Sequence, residues 1–342
     1  MFLIDVSGSM SPAHKLPLLQ QALRLLVDSL TARDRVAIVV YATQSRVALP
    51  PTPGDQPATI LDALNSLRAG GSTHGSAGIT TAYELARTHF RPDGVNRVIL
   101  CTDGDFNVGI TDRGQLASLI AEQARSGVFL TALGFGMGNY QDATLETLAH
   151  HGNGHYAYVD NLNEARKVLV EELHSTLVAV AKDVKAQVEF NPAVVRAYRL
   201  LGYENRQLRA RDFNDDRKDA GELGAGHAVT ILYELVPAHP GTAAAEVDPL
   251  KYQPSARFVR PTPGTGETLT LKLRYQPPDG HTSQRLEFAV TDAGRTYAQA
   301  STDFKFAAAV AAFGLILQEA PARGSASLGA VLELAAEGRG HD

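Results

Sequence analysis

The first half of the chain alternates short apolar runs, rich in β-branched residues, with segments whose apolar residues recur at helical spacing. This alternation is typical of a parallel sheet wrapped by helices. The runs with the length of strands are Phe2–Val6, Arg35–Ala42, Asn96–Thr102, Val128–Phe135 and His155–Val159. Helical spacing is clearest in Leu16–Leu30 and Leu116–Ala124. Residues 1–178 are therefore predicted to form an α/β domain.

Two single segments add detail to this domain. Ser45–Leu49 is extended and follows the second strand closely, which predicts a short antiparallel edge strand. Pro12 suits the first turn of a helix, because its missing N–H has no partner to lose there. The first helix is therefore predicted to begin near Pro12.

Near residue 182 the pattern changes to extended stretches separated by Gly, Pro and Asp turn residues. The stretches are Val184–Phe190, Ala193–Leu200, Ala228–Leu235, Thr268–Tyr275 and Arg285–Val290. We expect a β-rich domain over residues 182–301, with long loops at Asp212–Gly226 and Pro237–Pro263. The sequence becomes helical and Ala-rich from Asp303, so residues 302–342 are predicted to be a helical tail that is truncated at its end.

Charge and hydropathy narrow the classes of partner. The formal net charge is -5 and no long basic run is present, so neither nucleic acid nor anionic lipid is an expected partner. The longest apolar run, Phe306–Leu317, has about half of the roughly 20 residues that a membrane-spanning helix needs, so no transmembrane segment is expected. Cys101 lies among apolar residues and is predicted to be a small buried hydrophobe.

Three oxygen-bearing side chains follow the first predicted strand at alternate positions: Asp5, Ser7 and Ser9. Gly8 permits a tight turn between them, so their oxygens can converge on one point. Hard divalent cations prefer such all-oxygen sites, and Mg²⁺ in particular takes six ligands in a near-octahedral arrangement. The structural alternative is that these residues cap the next helix, as Ser and Asp often do.

Two further loops carry features that match this motif. Thr73 lies in a Gly-Gly-Ser-Thr turn that enters a helix, and Asp103 follows a buried strand and precedes a glycine. In order and approximate spacing, the three parts resemble the metal-ion-dependent adhesion site of von Willebrand factor type A and integrin I domains. The resemblance covers residues 1–178, and the joint occurrence of its parts favours a metal site over capping.

The resemblance implies a doubly wound, Rossmann-like sheet with strand order 3-2-1-4-5-6 and one antiparallel edge strand. It implies that Ser7 and Ser9 bind the ion through their hydroxyls, and that Thr73 does so in one conformational state. Asp5 and Asp103 would act directly or through water. The implied ion is a divalent cation, with Mg²⁺ preferred and Mn²⁺ or Ca²⁺ as alternatives.

Such a ligand set undersupplies the ion with negative charge, so an Asp or Glu of a protein partner is expected to complete its coordination. The expected function is metal-dependent protein binding, with no catalytic residue and no organic cofactor. The alternative is an intracellular accessory subunit of a chelatase-like or AAA+ machine. A phosphatase is less favoured, because Ser7 replaces the second acid of the Asp-x-Asp motif.

The second half resembles the β-rich C-terminal region of a bacterial family similar to YfbK. The resemblance lies in Lys185–Pro192, Tyr198–Glu204 and Gly226–Leu235. In that family the type A domain follows an export or lipoprotein signal and an N-terminal segment, neither of which opens this sequence. The expectation is therefore a truncated chain of a periplasmic or cell-surface protein.

Two other clusters resemble functional motifs less closely. His150, His151 and His155 crowd one segment, but it has no Cys or carboxylate at ligand spacing, so a solvated loop is favoured over a zinc site. Gly134-Phe135-Gly136-Met137-Gly138 lacks the third glycine of a dinucleotide-binding fingerprint and follows the fifth strand, so it is predicted to be a turn at the strand end.

Overall fold

The structure is a computed structural model, which describes residues 1–171, 179–202, 207–216, 218, 220–238, 266–278, 280, 282–320, 324 and 326–340. The chain divides into two compact units. The first comprises Met1–Val184, Asp219–His227 and Gln276–His281. The second comprises Lys185–Lys218, Ala228–Tyr275 and Thr282–Asp342.

A six-stranded sheet forms the centre of the first unit. Its strands are β1 Phe2–Asp5, β2 Arg35–Tyr41, β3 Ser45–Pro53, β4 Arg97–Thr102, β5 Phe129–Phe135 and β6 Tyr156–Val159. Their order is β3-β2-β1-β4-β5-β6, and every neighbouring pair is parallel except β2 and β3, which are antiparallel. The α/β class, the strand order and the antiparallel edge strand predicted from the sequence are confirmed.

The edge strand β3 runs to Pro53, beyond its predicted end at Leu49. Its pairing register with β2 shifts on both sides of Ile38, and the added residues include Pro50 and Pro51. Proline is tolerated on an edge strand because one side of that strand needs no N–H donor. Pro50 and Pro51 therefore do not end the strand.

Helices cover both faces of this sheet. They are α1 Leu16–Val27, α2 Pro57–Ser66, α3 Gly75–Thr88, α4 Arg113–Ala124, α5 Asp142–His151 and α6 Leu162–Arg166. Alternate residues of β1 point to opposite faces, so Phe2 and Ile4 pack in the core with α1, α2 and α6, whereas Leu3 packs with α3, α4 and α5. The domain is doubly wound, as predicted.

The first helix begins at Leu16, so the start predicted near Pro12 is wrong. Gly8–Met10 form a short 3-10 turn, and Pro12 lies in the loop that follows. The reason is Pro17, which lies in the first turn of α1. A helix from Pro12 would carry Pro17 in its second turn, where the missing N–H and the ring both disrupt the helix.

The second half is largely β, as predicted. Its strands are β7 Ala179–Phe190, β8 Val195–Leu201, β9 Gly221–Gly224, β10 Leu232–Pro237, β11 Leu269–Gln276 and β12 Gln284–Val290. Within the second unit, β8 pairs antiparallel with β10, and β11 with β12. Within the first unit, the start of β7 pairs antiparallel with β9, so the predicted loop Asp212–Gly226 contains a strand. Most of the predicted loop Pro237–Pro263 lies outside the described residues.

Two helices, α7 Thr302–Leu317 and α8 Leu328–Gly338, follow the strands of the second unit, in the region predicted to be helical. The apolar run Phe306–Leu317 lies within α7. In the part of the chain that the structure describes, no helix is both long enough and apolar enough to cross a membrane.

Candidate metal centre

Asp5 ends β1 at the carboxyl edge of the sheet, and its side chain is buried. The backbone N–H of Ser7 donates to its Oδ1 over 2.8 Å. The Thr102 hydroxyl, at the end of the adjacent strand β4, donates to its Oδ2 over 2.7 Å. Both carboxylate oxygens therefore have a donor, and the pair β1–β4 holds the group in one orientation.

Burial gives the Asp5 carboxyl an unusual affinity for protons. It raises the pKa of Asp5 to about 6, because desolvation disfavours the charged form. The hydrogen bonds from Ser7 and Thr102 oppose this shift, whereas the nearby charge of Asp103 adds to it. A cation close to Asp5 would offset this cost by Coulomb attraction to the carboxylate, so the local electrostatics favour a bound positive charge.

The turn after β1 brings two hydroxyls together. The side chains of Ser7 and Ser9 lie 3.0 Å apart, oxygen to oxygen. Ser7 is buried and Ser9 is half-buried. Ser7 makes no side-chain capping hydrogen bond to the 3-10 turn that follows it, and Lys15 is the N-cap of α1. The alternative in which these residues serve only to cap the next helix is therefore wrong.

The glycine-rich loop before α3 lies directly against this turn. The Gly8 N–H donates to the carbonyl of Gly71 over 2.9 Å, and the Gly70 N–H donates to the carbonyl of Val6 over 2.8 Å. Gly71 has a φ of 85°, in the left-handed region that favours glycine. Two backbone hydrogen bonds thus join the segment that carries Ser7 and Ser9 to the segment that carries Thr73.

Thr73 is buried and fixed by its backbone to the loop that follows β4. Its N–H donates to Asn107 Oδ1 over 3.1 Å, and its carbonyl accepts from the Val108 N–H over 3.1 Å. This loop begins with Asp103, so Thr73 is joined to both of the other segments of the site. All three segments named by the sequence motif therefore lie together at one edge of the sheet.

Asp103 is fully buried and has three donors. Lys15 Nζ lies 2.8 Å from its Oδ2, and Asn139 Nδ2 lies 3.1 Å from the same oxygen. The backbone N–H of Asp105 donates to its Oδ1 over 3.1 Å. The ion pair between Lys15 and Asp103 is a feature that the sequence motif does not contain.

The donors that these loops supply fit a hard divalent cation. They are carboxylate and hydroxyl oxygens, the ligands that Mg²⁺ and Ca²⁺ prefer. The Ser7 and Ser9 hydroxyls are hydrogen-bonded to each other over 3.0 Å, so both oxygens lie close enough to contact one ion. The described residues contain no group of three or more His, Cys, Asp or Glu suited to a metal. The candidate therefore depends on hydroxyls as well as carboxylates.

Sequence reasoning gave no role to four residues that support the site: Lys15, Thr102, Asn107 and Asn139. Thr102 was visible as the residue before Asp103 at the strand end, where a hydroxyl can reach the neighbouring strand. Asn107 and Asn139 lie in loops, and nothing in their local sequence indicates which loop they contact. Nothing in the sequence around Lys15 indicates a contact with Asp103, 88 residues away.

Two family models match the chain. Residues 1–172 match the family described as von Willebrand factor type A domain. Residues 175–342 match the family described as "Uncharacterized protein YfbK, C-terminal". Together the two matches cover both halves of the chain.

Two relatives are similar to this chain over different lengths. YfbK of Escherichia coli (strain K12) is 45% identical over 341 residues, which are 100% of this chain and 58% of that protein. Inter-alpha-trypsin inhibitor heavy chain H4 of Homo sapiens is 32% identical over 161 residues, 45% of this chain and 17% of that protein. The chain thus spans less than two thirds of the length of either relative.

Among solved structures, von Willebrand factor type A from Catenulispora acidiphila is similar over 99% of this chain and 79% of that chain. The sequence identity is 19% and the TM-score is 0.49.

Proposed function

Because the chain belongs to the von Willebrand factor type A domain family, we propose that it binds a protein partner through a divalent cation. Domains of this family are generally metal-dependent protein-interaction modules. The residues that would hold the ion are Asp5, Ser7, Ser9, Thr73 and Asp103. The partner would contribute an Asp or Glu carboxylate to the same ion.

One observation carries this proposal: three separate segments join at the edge where β1 and β4 end, and they bring the Ser7 and Ser9 hydroxyls to 3.0 Å beside a buried carboxylate. The point where strand order reverses is also where open α/β sheets bind ligands. Mg²⁺ is the preferred ion because it takes six oxygen ligands in a near-octahedral arrangement, and Mn²⁺ and Ca²⁺ are the alternatives.

Charge explains why the partner's group should be acidic. The ligand set is neutral except for two carboxylates, and one of these is already paired with Lys15. A bound divalent cation supplies an uncompensated positive charge at the rim of the sheet. Opposite unit charges about 4 Å apart gain about 4 kcal/mol at an effective dielectric near 20, enough to make such a contact the centre of a modest interface.

The proposal also makes the site non-catalytic. Ser7 occupies the position where a phosphatase of the Asp-x-Asp type has its acid/base carboxylate. Assays of phosphatase activity with Mg²⁺ and Mn²⁺ should therefore give no turnover. Turnover that Asp5→Ala abolishes would overturn this part of the proposal.

Ion binding is tested by titration calorimetry with Mg²⁺, Mn²⁺ and Ca²⁺. The double variant Ser7→Ala/Ser9→Ala should lose at least about tenfold in Mg²⁺ affinity, because it lacks two of the proposed ligands. The matched control, Ser66→Ala/Ser118→Ala, removes two exposed hydroxyls and should bind as the wild type does. Equal affinity in the double variant and the wild type would refute the ligand set.

Partner binding is tested by affinity capture of proteins on the immobilised chain, with Mg²⁺ and with a chelator. A partner of the proposed kind should be retained only with Mg²⁺ and lost on Ser7→Ala/Ser9→Ala. Replacing one acidic residue of that partner should then abolish retention. A partner that binds equally in chelator would contradict metal-dependent recognition.

A further inference from the structure

The site already contains a cation of its own, the ammonium group of Lys15. This side chain is only 3% exposed, and its Nζ lies 2.8 Å from Asp103 Oδ2 and 2.7 Å from Asn139 Oδ1. Lysine is almost never fully buried unless it is paired. Pairing with Asp103 explains how Lys15 can be buried, but it does not explain why a proposed metal ligand is paired with a lysine.

The protein has a dedicated space for the Lys15 side chain. Gly136, in the turn after β5, has a φ of 105°, and a Cβ added to it would lie 2.3 Å from Cε and 2.9 Å from Cγ of Lys15. Only glycine leaves room for the aliphatic stem. Tyr158 fixes this turn by donating its hydroxyl to the Gly136 carbonyl over 2.8 Å. The glycine-rich turn that resembled a nucleotide-binding loop thus shapes the path of Lys15.

Asn139 connects the ammonium group to the acidic residues around it. Its side-chain Oδ1 accepts from Lys15 Nζ. Its side-chain Nδ2 donates to Asp103 Oδ2 and to Asp105 Oδ2, each over 3.1 Å. Asp103 is thereby neutralised and oriented without any divalent ion. Among the buried charged groups of the site, the carboxylates of Asp5 and Asp103 and the ammonium of Lys15 leave a formal charge of -1, and the half-buried Asp105 lies outside this count.

We propose that Lys15 is an internal counter-ion of the metal site, which lowers its affinity for the divalent cation and leaves the loaded site with a net positive charge. This inference rests on the proposed function. With Lys15 present, a divalent ion gives the two carboxylates a net charge of +1 and not zero. A carboxylate from the partner neutralises that excess, so the ion and the partner bind cooperatively, and the ion alone binds weakly.

The test compares Mg²⁺ binding by the wild type and by Lys15→Met, which keeps the length of the stem and removes the charge. Calorimetry should show Mg²⁺ affinity at least about tenfold higher in the variant, because like-charge repulsion is removed. The control Lys167→Met removes an exposed lysine of the same domain and should leave the affinity unchanged. Equal or weaker Mg²⁺ binding by Lys15→Met would overturn the inference.

A second readout is thermal unfolding of the same proteins in chelator and in excess Mg²⁺. Lys15→Met should unfold at a lower temperature than the wild type in chelator, because the buried Asp103 carboxylate loses its counter-ion. Mg²⁺ should raise its unfolding temperature more than that of the wild type, because the ion replaces the missing charge. An equal rise in both proteins would count against the counter-ion role.

Asn139→Ala keeps the inference testable if Lys15→Met does not fold, because Asn139 is exposed. The variant removes an acceptor of Lys15 and a donor to Asp103, so its Mg²⁺ affinity should rise by about two- to fivefold. Unchanged affinity would overturn the inference. If the wild type and both variants all fail to bind Mg²⁺, the proposed function itself fails. If the wild type binds Mg²⁺ more weakly than both variants do, the counter-ion role is supported.

Discussion

Thr102 donates its hydroxyl to the Asp5 carboxylate over 2.7 Å, across two adjacent parallel strands and 97 residues of sequence. The same hydroxyl accepts the backbone N–H of Gly104 over 3.0 Å. It therefore links the ends of β1 and β4, the two strands from which the candidate metal centre is built. Asp5, Thr102 and Gly104 are all buried, so water cannot replace a hydrogen bond that is lost here, and its loss should reduce stability.

Thr102→Val should destabilise the domain by about 1–3 kcal/mol, because it keeps the shape of the side chain and leaves a buried Asp5 oxygen without its donor. Urea unfolding in chelator measures the effect without a contribution from bound ion. The control Thr88→Val, at an exposed helical position, should change the free energy of unfolding by less than about 0.5 kcal/mol. Equal effects of the two substitutions would show that the Thr102 hydrogen bond adds nothing.

Gly71→Ala should weaken both the fold and the metal site. A residue with a side chain at this φ costs about 1–2 kcal/mol, and the added Cβ would lie 2.7 Å from Thr43 Oγ1. Gly70→Ala is a matched control, because a Cβ at Gly70 has no atom within 4 Å and its φ is not positive. Unfolding in chelator and Mg²⁺ titration should show losses in the first variant alone, and equal behaviour of the two would contradict the prediction.

His155 should make the stability of the domain depend on pH. Burial lowers the pKa of His155 to about 4, and the charges of Arg97 and His227 act in the same direction. In the unfolded chain the pKa is about 6.5, so between these values the unfolded state binds more protons. The contribution of His155 is therefore fully present above about pH 6.5 and is lost as the pH falls towards 4, by at most about 1.4 kcal/mol per pH unit.

The measurement for His155 is urea unfolding between about pH 7 and pH 5. His155→Gln should lose less stability than the wild type over this range, because its side chain does not take up a proton. His89→Gln, a change at an exposed histidine, serves as the control and should follow the wild type. The same pH dependence in all three proteins would contradict the assignment.

Cys101 should be unreactive in the folded protein. Its side chain is fully buried in β4, and burial raises the pKa of the thiol well above its usual range. The thiolate is the reactive form, so alkylation should proceed only when the domain opens. Labelling by iodoacetamide should be far slower in buffer than in denaturing urea, where the rate should approach that of N-acetylcysteine. Rapid labelling in buffer would show that β4 is accessible in the native state.

Local patterns in the sequence predicted much of the fold. The apolar runs of the first half predicted the six strands of the sheet, and five of them begin and end within one residue of the structure. The inner strands β1, β4 and β5 are almost entirely buried, so each appears as a mainly apolar run. Errors occurred at the start of α1, where Pro12 gave a misleading local signal, and at the end of β3, which extends beyond its predicted end at Leu49.

The sequence also indicated some features of the candidate site and left others open. The loop after each strand carries its own signature, so Asp5, Ser7, Ser9, Thr73 and Asp103 could be named from the sequence. Their role as ligands of one ion stays a prediction, although the structure brings their three segments together. The partner and the identity of the ion also stay predictions.

The sequence by itself determined the strands, their order through family resemblance, and the oxygen-bearing residues at the strand ends. The strands and the oxygen-bearing residues depend on periodicity or spacing within short segments, whereas the order was implied by the resemblance. Only the tertiary structure decided that Lys15 pairs with Asp103, 88 residues away, and that Gly136 leaves room for it. Such contacts depend on how α1 and the turn after β5 pack at the same edge of the sheet, and no local pattern encodes that packing.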